Sequence, residues 1–262
     1  MLISLREALL VRAQWTGLLP SFLTGVIVLG SWELATRLFA IPIYLLPAPS
    51  QILFRMSENF SLLMTHAGVT LLEVFLGFWI AFSLAVSLAL LLFYSPWLEK
   101  AIYPWLILSQ NVPTFAIAPV LIIWLGFGIW PKVLIAALVV FFPMVVNALD
   151  GLKSADADLI NMLKLMGASR WQILKKIRIP LALPFLFSGA KVGVTFSVMG
   201  AVIGEWIGGQ QGLGYLMNQQ KTLLHTDLVF AAISWLAGLA LLLFLLVSWV
   251  ERKILAYRKF ER

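Results

Sequence analysis

The sequence predicts an all-α integral membrane protein with six transmembrane helices and both termini on the cytoplasmic side. Three observations lead there. Of 262 residues, 61% are hydrophobic and only 12% charged, against roughly 25% charged in an ordinary soluble domain, so the apolar excess must face lipid. The charged residues leave uncharged runs of the length a bilayer demands. The Lys and Arg residues then fall mostly on one side of the map those runs define.

Twenty uncharged residues separate Arg12 from Glu33, 25 separate Glu73 from Glu99, and 31 separate Lys100 from Lys132. Another 17 lie between Lys132 and Asp150, and 23 between Asp227 and Glu251. A hydrocarbon core of about 30 Å needs about 20 helical residues, and the 17-residue run suffices if Lys132 snorkels to the interface. A sixth span, Leu181 to Gly204, carries Lys191 as an internal charge and ends near Glu205. The expected spans are 16–40, 68–95, 102–125, 131–149, 181–206 and 228–250. Trp15, Tyr44, Tyr94, Trp97, Trp130, Trp206 and Trp249 near their ends fit interfacial aromatic belts.

With six spans the termini share a side. That side holds fourteen Lys and Arg residues, against three (Arg55, Lys132, Lys221) on the other, which marks it as cytoplasmic. Residues 1–15 then form a cytoplasmic segment able to lie as an interfacial helix. Residues 16–250 form the transmembrane domain with a cytoplasmic loop at 150–180, and 251–262 a cytoplasmic tail. The first apolar run is long enough to span and no cleavage pattern follows it, so it reads as a retained helix rather than a signal peptide.

Several function classes drop out. The net charge of +7 is a topology signal in such a chain, so no nucleic-acid partner is expected. There is no cysteine, and His66 and His225 have no ligand-like spacing, so no metal site is expected. Neither H-E-x-x-H nor a Ser/His pair near the midplane is present, so no catalytic residue is assigned and the chain is not expected to be an enzyme.

One hydrophilic segment does not belong in lipid. From Asp150 to Pro180, Leu159, Met162, Leu163 and Met166 recur at i, i+3, i+4 and i+7, a helical stripe. Gly167 then stops the helix as a C-terminal cap. Ser169 caps a second helix with Trp171, Leu174 and Ile177 on one face, and Pro180 ends it or marks entry into the next span. This helix–Gly–helix element lies on headgroups or docks in another protein's groove.

At this point the sequence resembles a known family. ABC importer permeases carry a cytoplasmic motif, EAA followed by Gly four residues after its last Ala, then about ten residues to I-x-L-P. Here the positions are Asn161-Met162-Leu163, Gly167 and Ile177-Arg178-Ile179-Pro180, with Asn-Met-Leu in place of the triplet and Ile179 in place of Leu. The run from Gly167 through Ala168 and Ser169 to Trp171 is typical of the family. Leu46-Pro-Ala-Pro-Ser50, Val112 to Pro119 with Trp124 to Gly128, Phe142-Pro143 with Asn147, and Glu205 followed by Gly212-Leu-Gly-Tyr215 extend the likeness over roughly residues 45–255. They are similar to the nitrate/sulfonate/taurine branch, and the stretch from Gly200 to Leu216 to permeases for thiamine pyrimidine precursors.

The resemblance implies a type I importer permease fold in a bacterial inner membrane, paired with a second copy as a homodimer. A cytoplasmic ATPase would dock on Asn161, Met162, Leu163, Met166, Gly167, Ala168, Ser169, Ile177 and Pro180. A solute-binding protein would deliver a pyrimidine-like heterocycle, a sulfonate, taurine or nitrate from outside. The chain has no G-x-x-x-x-G-K-[ST] phosphate loop, so no cofactor is expected on it, and ATP and Mg belong to the ATPase.

Polar residues inside spans are costly and therefore informative. Gly189, Gly193, Ser197, Ala201 and Glu205 recur every four residues, which suits close helix packing or a pathway-lining face with Glu205 near its outer mouth. Gln110, Asn111, Pro113 and Pro119 make the third span polar and kink-prone, lining a pathway or bonding between helices, and Asn147 in the fourth has the same status. Glu33 and Arg37, at i and i+4, read as a neutralising pair. Glu73 and Glu205 have no evident partner. The alternative function is a stand-alone secondary transporter or channel, for which paired intramembrane acids or two similar halves are the expected signs.

Overall fold

The structure, a computed structural model, describes residues 2–256, with side chains from residue 20 onward. The side chains of the expected N-terminal segment and the tail from 257 lie outside the described residues. Eleven helices follow in order among those described: α1 (Leu2–Leu38), α2 (Pro49–Glu58), α3 (Phe60–Tyr94), α4 (Pro96–Ser109), α5 (Thr114–Leu125), α6 (Ile129–Lys153), α7 (Ala157–Leu165), α8 (Arg170–Ile173), α9 (Ile179–Gly208), α10 (Leu213–Thr222) and α11 (Thr226–Ile254). Four of the long stretches can cross a membrane by length and composition: Phe60–Tyr94, Ile129–Lys153, Arg170–Gly208 and Thr226–Ile254.

The chain forms two compact units. One comprises the residues up to Phe60 with Gln220–Ala231. In it the Glu33 carboxylate accepts hydrogen bonds from Arg37 Nε at 2.7 Å, the Ser50 amide at 2.9 Å and Ser50 Oγ at 2.8 Å. The expected Glu33–Arg37 pair therefore also fastens the start of α2, where Pro49 sits in the first turn with no N–H to lose. Arg55 Nε donates to Asp227 at 2.6 Å and Arg55 Nη1 to Glu58 at 2.6 Å. The Asp227 hydrogen bond, with Glu58 adding, holds the Arg55 guanidinium pKa above its ordinary value.

The other unit, Ser61–Gln219 with the chain from Ala232, is built on α3, α6 and α9. Phe78, Ala81, Ala85, Ala89 and Leu92 line one face of α3 against Val140, Met144, Val145 and Ala148 of α6 and Ala190 and Val194 of α9. Small residues set how close the helices come. A Cβ on Gly200 would lie 2.7 Å from the Ala136 Cα, and one on Gly77 would lie 2.9 Å from the Val133 carbonyl, so backbone meets backbone.

The third expected span is not one helix. Residues 102–125 are divided between α4 and α5, which meet at a bend of 99°. Pro113 has no N–H to donate and its ring pushes Val112 out of the helical region, so the helix stops before it.

The 150–180 segment forms the expected helix–Gly–helix, and of the two readings of Pro180 the structure shows entry into the next span. Arg170–Gly208 runs on as one long stretch, with a π-helical segment at Leu174–Arg178 whose bonds end on Ile179 N–H to Leu174 O. The wider turn accommodates a proline in a continuing helix. Ser169 starts α8 with a reciprocal capping box: the Gln172 amide donates to Ser169 Oγ at 3.2 Å and the Ser169 amide to Gln172 Oε1 at 2.8 Å. Ser169→Ala should cost about 1 kcal/mol locally, read as about fivefold faster amide hydrogen exchange in α8.

Candidate coupling and pathway surfaces

The helix–Gly–helix element presents its apolar side outward. Ile160, Ile173 and Leu174 are buried against the rest of the unit, whereas Leu165 is 90% and Met166 74% exposed, with Met162 and Trp171 also exposed. The predicted stripe of Leu159, Met162, Leu163 and Met166 is thus largely the free face, and Ile160 is the inward contact. Gly167, at φ +86, closes α7 with a Schellman pair: its own N–H donates to Lys164 O and the Ala168 N–H to Leu163 O, each at 3.0 Å. A cleft of about 360 Å³ opens at this turn, with Leu163, Met166, Gly167, Ala168 and Ile177 among its walls. Asn161 and Ser169 are exposed beside it.

Arg178 fixes the element to the unit. Its Nη1 donates to the Leu152 carbonyl at 2.7 Å, and its guanidinium sits 4.7 Å from the centre of the Phe93 ring, a cation–π contact. Lys153 pairs with Glu99 on α4, and Lys191 pairs with Glu251 on α11 at 2.8 Å. Lys191, the internal charge of its span, is therefore partnered.

Where α4 gives way to α5, a second cleft of about 310 Å³ is lined by Ser109, Gln110, Pro113, Thr114, Phe142 and Phe196, among others. Helix interruptions leave backbone groups unpaired, which must line a polar cavity or find internal partners. Here the walls combine the N-terminus of α5, a carboxamide and hydroxyls with two phenyl rings and the aliphatic Val112, Leu138 and Val139, and among the described residues no charged side chain lines the cleft. Asn111 lies at the same break with Nδ2 donating to the Ile107 carbonyl at 3.2 Å. Asn147 stays on α6, its Nδ2 donating to the Pro143 carbonyl at 2.8 Å.

Ser197 and Glu205 are not brought to that cleft. Both are buried, and Ser197 Oγ donates to the Val74 carbonyl at 3.2 Å. The four-residue repeat of α9 faces other helices: all five of its residues are buried, and a Cβ on Gly189 or Gly193 would meet the Met144, Asn147 and Val140 side chains of α6 at 2.9–3.0 Å. Glu205 instead belongs to a polar cluster drawn from residues far apart in the chain. Lys132 does not snorkel: it is 6% exposed, and its Nζ lies 2.7 Å from Glu73 Oε1. Glu205 accepts from Thr70 Oγ1 at 2.7 Å and from the Gly214 amide at 2.5 Å. The supposedly partnerless acids thus share one neighbourhood on α3, α6 and α9. The i, i+4, i+7 spacing of His66, Thr70 and Glu73 was the available sign on α3.

Comparison with known proteins gives a consistent result. Residues 73–256 match the family model described as binding-protein-dependent transport system inner membrane component. The chain is 37% identical over 229 residues to the formylaminopyrimidine transport permease protein ThiX of Halalkalibacterium halodurans, covering 87% of this chain and 91% of that one. It is 37% identical over 258 residues to the riboflavin transport system permease protein RibX of Chloroflexus aurantiacus, covering 97% and 96%. The fold matches a chain of the MetNI methionine ABC transporter in an inward-facing conformation, with TM-score 0.63 and 21% identity over 75% of this chain and 98% of that chain.

Proposed function

This chain belongs to the family of binding-protein-dependent transport system inner membrane components, and from that premise we propose how it works as the permease component of an ABC importer. Two copies pair in a bacterial inner membrane, each with six spans and both termini in the cytoplasm. A separate ATPase chain binds ATP and Mg, and an extracytoplasmic binding protein delivers the solute.

The exposed apolar face of α7 and α8 carries this reading. Leu165, Met166 and Trp171 are uncovered at the end of a stiff element, and a groove on the ATPase is the partner that covers them. Asn161, Met162, Leu163, Met166, Gly167, Ala168 and Ser169 make the contact, with Ile177 and Pro180 linking it to α9. Motion of the ATPase reaches the membrane because α8 continues through the π segment into α9 without a break, so the coupling helix and a span form one lever.

The cleft at the α4–α5 break lines the pathway, with Gln110, Asn111 and Pro113 at its edge. Its lining of aromatic rings, carboxamide and hydroxyls without a charged side chain suits a flat, uncharged nitrogen heterocycle better than a sulfonate or nitrate, which needs a compensating cation. The two relatives named for formylaminopyrimidine and riboflavin transport support the same class. Solubilised with its native partners, the tagged chain should co-purify an ATPase chain in equal amount. Cells carrying the full system should take up formylaminopyrimidine at least about tenfold faster than taurine, a difference of about 1.4 kcal/mol. Purification of the chain alone, or preference for taurine, would overturn the respective part of the reading.

A further inference from the structure

The start of α10 is held in an unusual way. Three successive backbone N–H groups, those of Gly212, Leu213 and Gly214, are each taken by a side chain from a long helix. Gly212 N–H donates to His66 Nδ1 at 3.0 Å, Leu213 N–H to Thr70 Oγ1 at 2.9 Å, and Gly214 N–H to Glu205 Oε2 at 2.5 Å. The Gly212 carbonyl accepts the first bond of the helix from Leu216, so these are the N–H groups that an α-helix leaves unpaired at its N-terminus. The positive end of the α10 dipole thereby meets the Glu205 carboxylate.

The partners interlock. Thr70 Oγ1 accepts from α10 while donating to Glu205, and His66 stacks on Tyr215 of α10. Gly212 has φ +114, and a side chain there would run into the Glu205 carboxyl group. Behind Glu205 stand Glu73 and Lys132, paired with each other. Stability alone gives little reason for this construction, since buried ion clusters are often no better than apolar packing of the same volume. What such a network supplies is one defined geometry.

We propose that Glu205, with Thr70, is a positioning residue of the transport cycle: it holds α10 to α3 and α9, so that helix movement driven from the ATPase side reaches the outward surface where loaded binding protein acts, and the reverse. This rests on the importer reading above. Glu205 acts through α10 and does not touch the solute.

The test uses the complete complex in lipid nanodiscs, measuring basal ATPase activity and its stimulation by binding protein loaded with formylaminopyrimidine. Glu205→Leu removes the acceptor but leaves Lys132 and Glu73 as a balanced pair, so the complex assembles. Stimulation should fall about tenfold, within the range of ordinary coupling between sites, while basal activity changes less than about twofold. Amide exchange in residues 209–216 should accelerate in the same variant. Glu205→Gln keeps a carbonyl acceptor for Gly214 and should restore at least half the stimulation. Thr70→Val is a milder second variant and should show the same split. Unchanged stimulation in both Glu205→Leu and Thr70→Val would overturn the proposal. So would a proportional loss of basal and stimulated activity, which marks a merely structural role. A wild-type chain that assembles with no ATPase would instead overturn the importer reading itself.

Discussion

Replacing Lys132 with methionine should destabilise the protein by about 3–5 kcal/mol, the usual consequence of removing one partner from a buried ion pair. Lys132 is paired with Glu73 in the cluster that also holds Glu205, and Glu73 is fully buried. Methionine fills much of the same volume, so the loss arises from charge rather than from a cavity. Two neighbouring buried acids would remain without a cation. Detergent-denaturation curves of the purified protein measure the effect. Combining Lys132→Met with Glu73→Gln should recover more than half of the loss, because the second change removes the acid that Lys132 pairs with and leaves Glu205 with its Thr70 and Gly214 donors. A single variant as stable as the parent would show that the cluster does not depend on the Lys132 charge.

Gly167→Val should leave the chain in the membrane and lower ATP-driven uptake by at least about tenfold, a coupling loss of about 1.4 kcal/mol. Gly167 holds φ +86, a region in which a β-branched residue is a genuine outlier, and forcing it there costs about 1–3 kcal/mol. The turn relaxes by re-aiming α7 against α8, which moves Met162, Leu165 and Met166 out of register with the ATPase groove proposed for them. The spans are untouched, since no heavy atom outside the turn lies within 4 Å of a Cβ at that position. Gly167→Asn should retain most uptake, because asparagine enters the left-handed region more readily. Uptake by the valine variant at the parental rate would separate the turn from coupling.

Local signals in this chain were legible where one short segment decides its own conformation. The apolar period ending at Gly167, with Ser169 following, gave the turn and both caps, because caps depend on neighbours within four residues. Charge spacing likewise located α3, α6, α9 and α11. Features that depend on distant segments were not legible. The i, i+4 geometry of Glu33 and Arg37 showed that pair, whereas Glu73 and Lys132 lie 59 positions apart in the numbering and meet only once α3 packs on α6. Lys132 looked like a snorkelling residue because the sequence does not say which way a helix face turns. Pro113 announced a kink, but the 99° bend depends on what the rest of the unit packs around the break. The small-residue repeat on α9 was compatible with packing and with a pathway face, and only the fold shows that Gly189 and Gly193 lie against Met144, Asn147 and Val140 of α6.

The central claim, a permease driven by a separate ATPase, is tested most directly by uptake into sealed proteoliposomes. The chain is reconstituted with and without its ATPase partner, with loaded binding protein outside and ATP inside. Formylaminopyrimidine accumulation is expected only when both chains and ATP are present. It should disappear when ATP is replaced by a non-hydrolysable analogue. Accumulation by this chain alone under an imposed ion gradient would contradict the account and identify a secondary transporter.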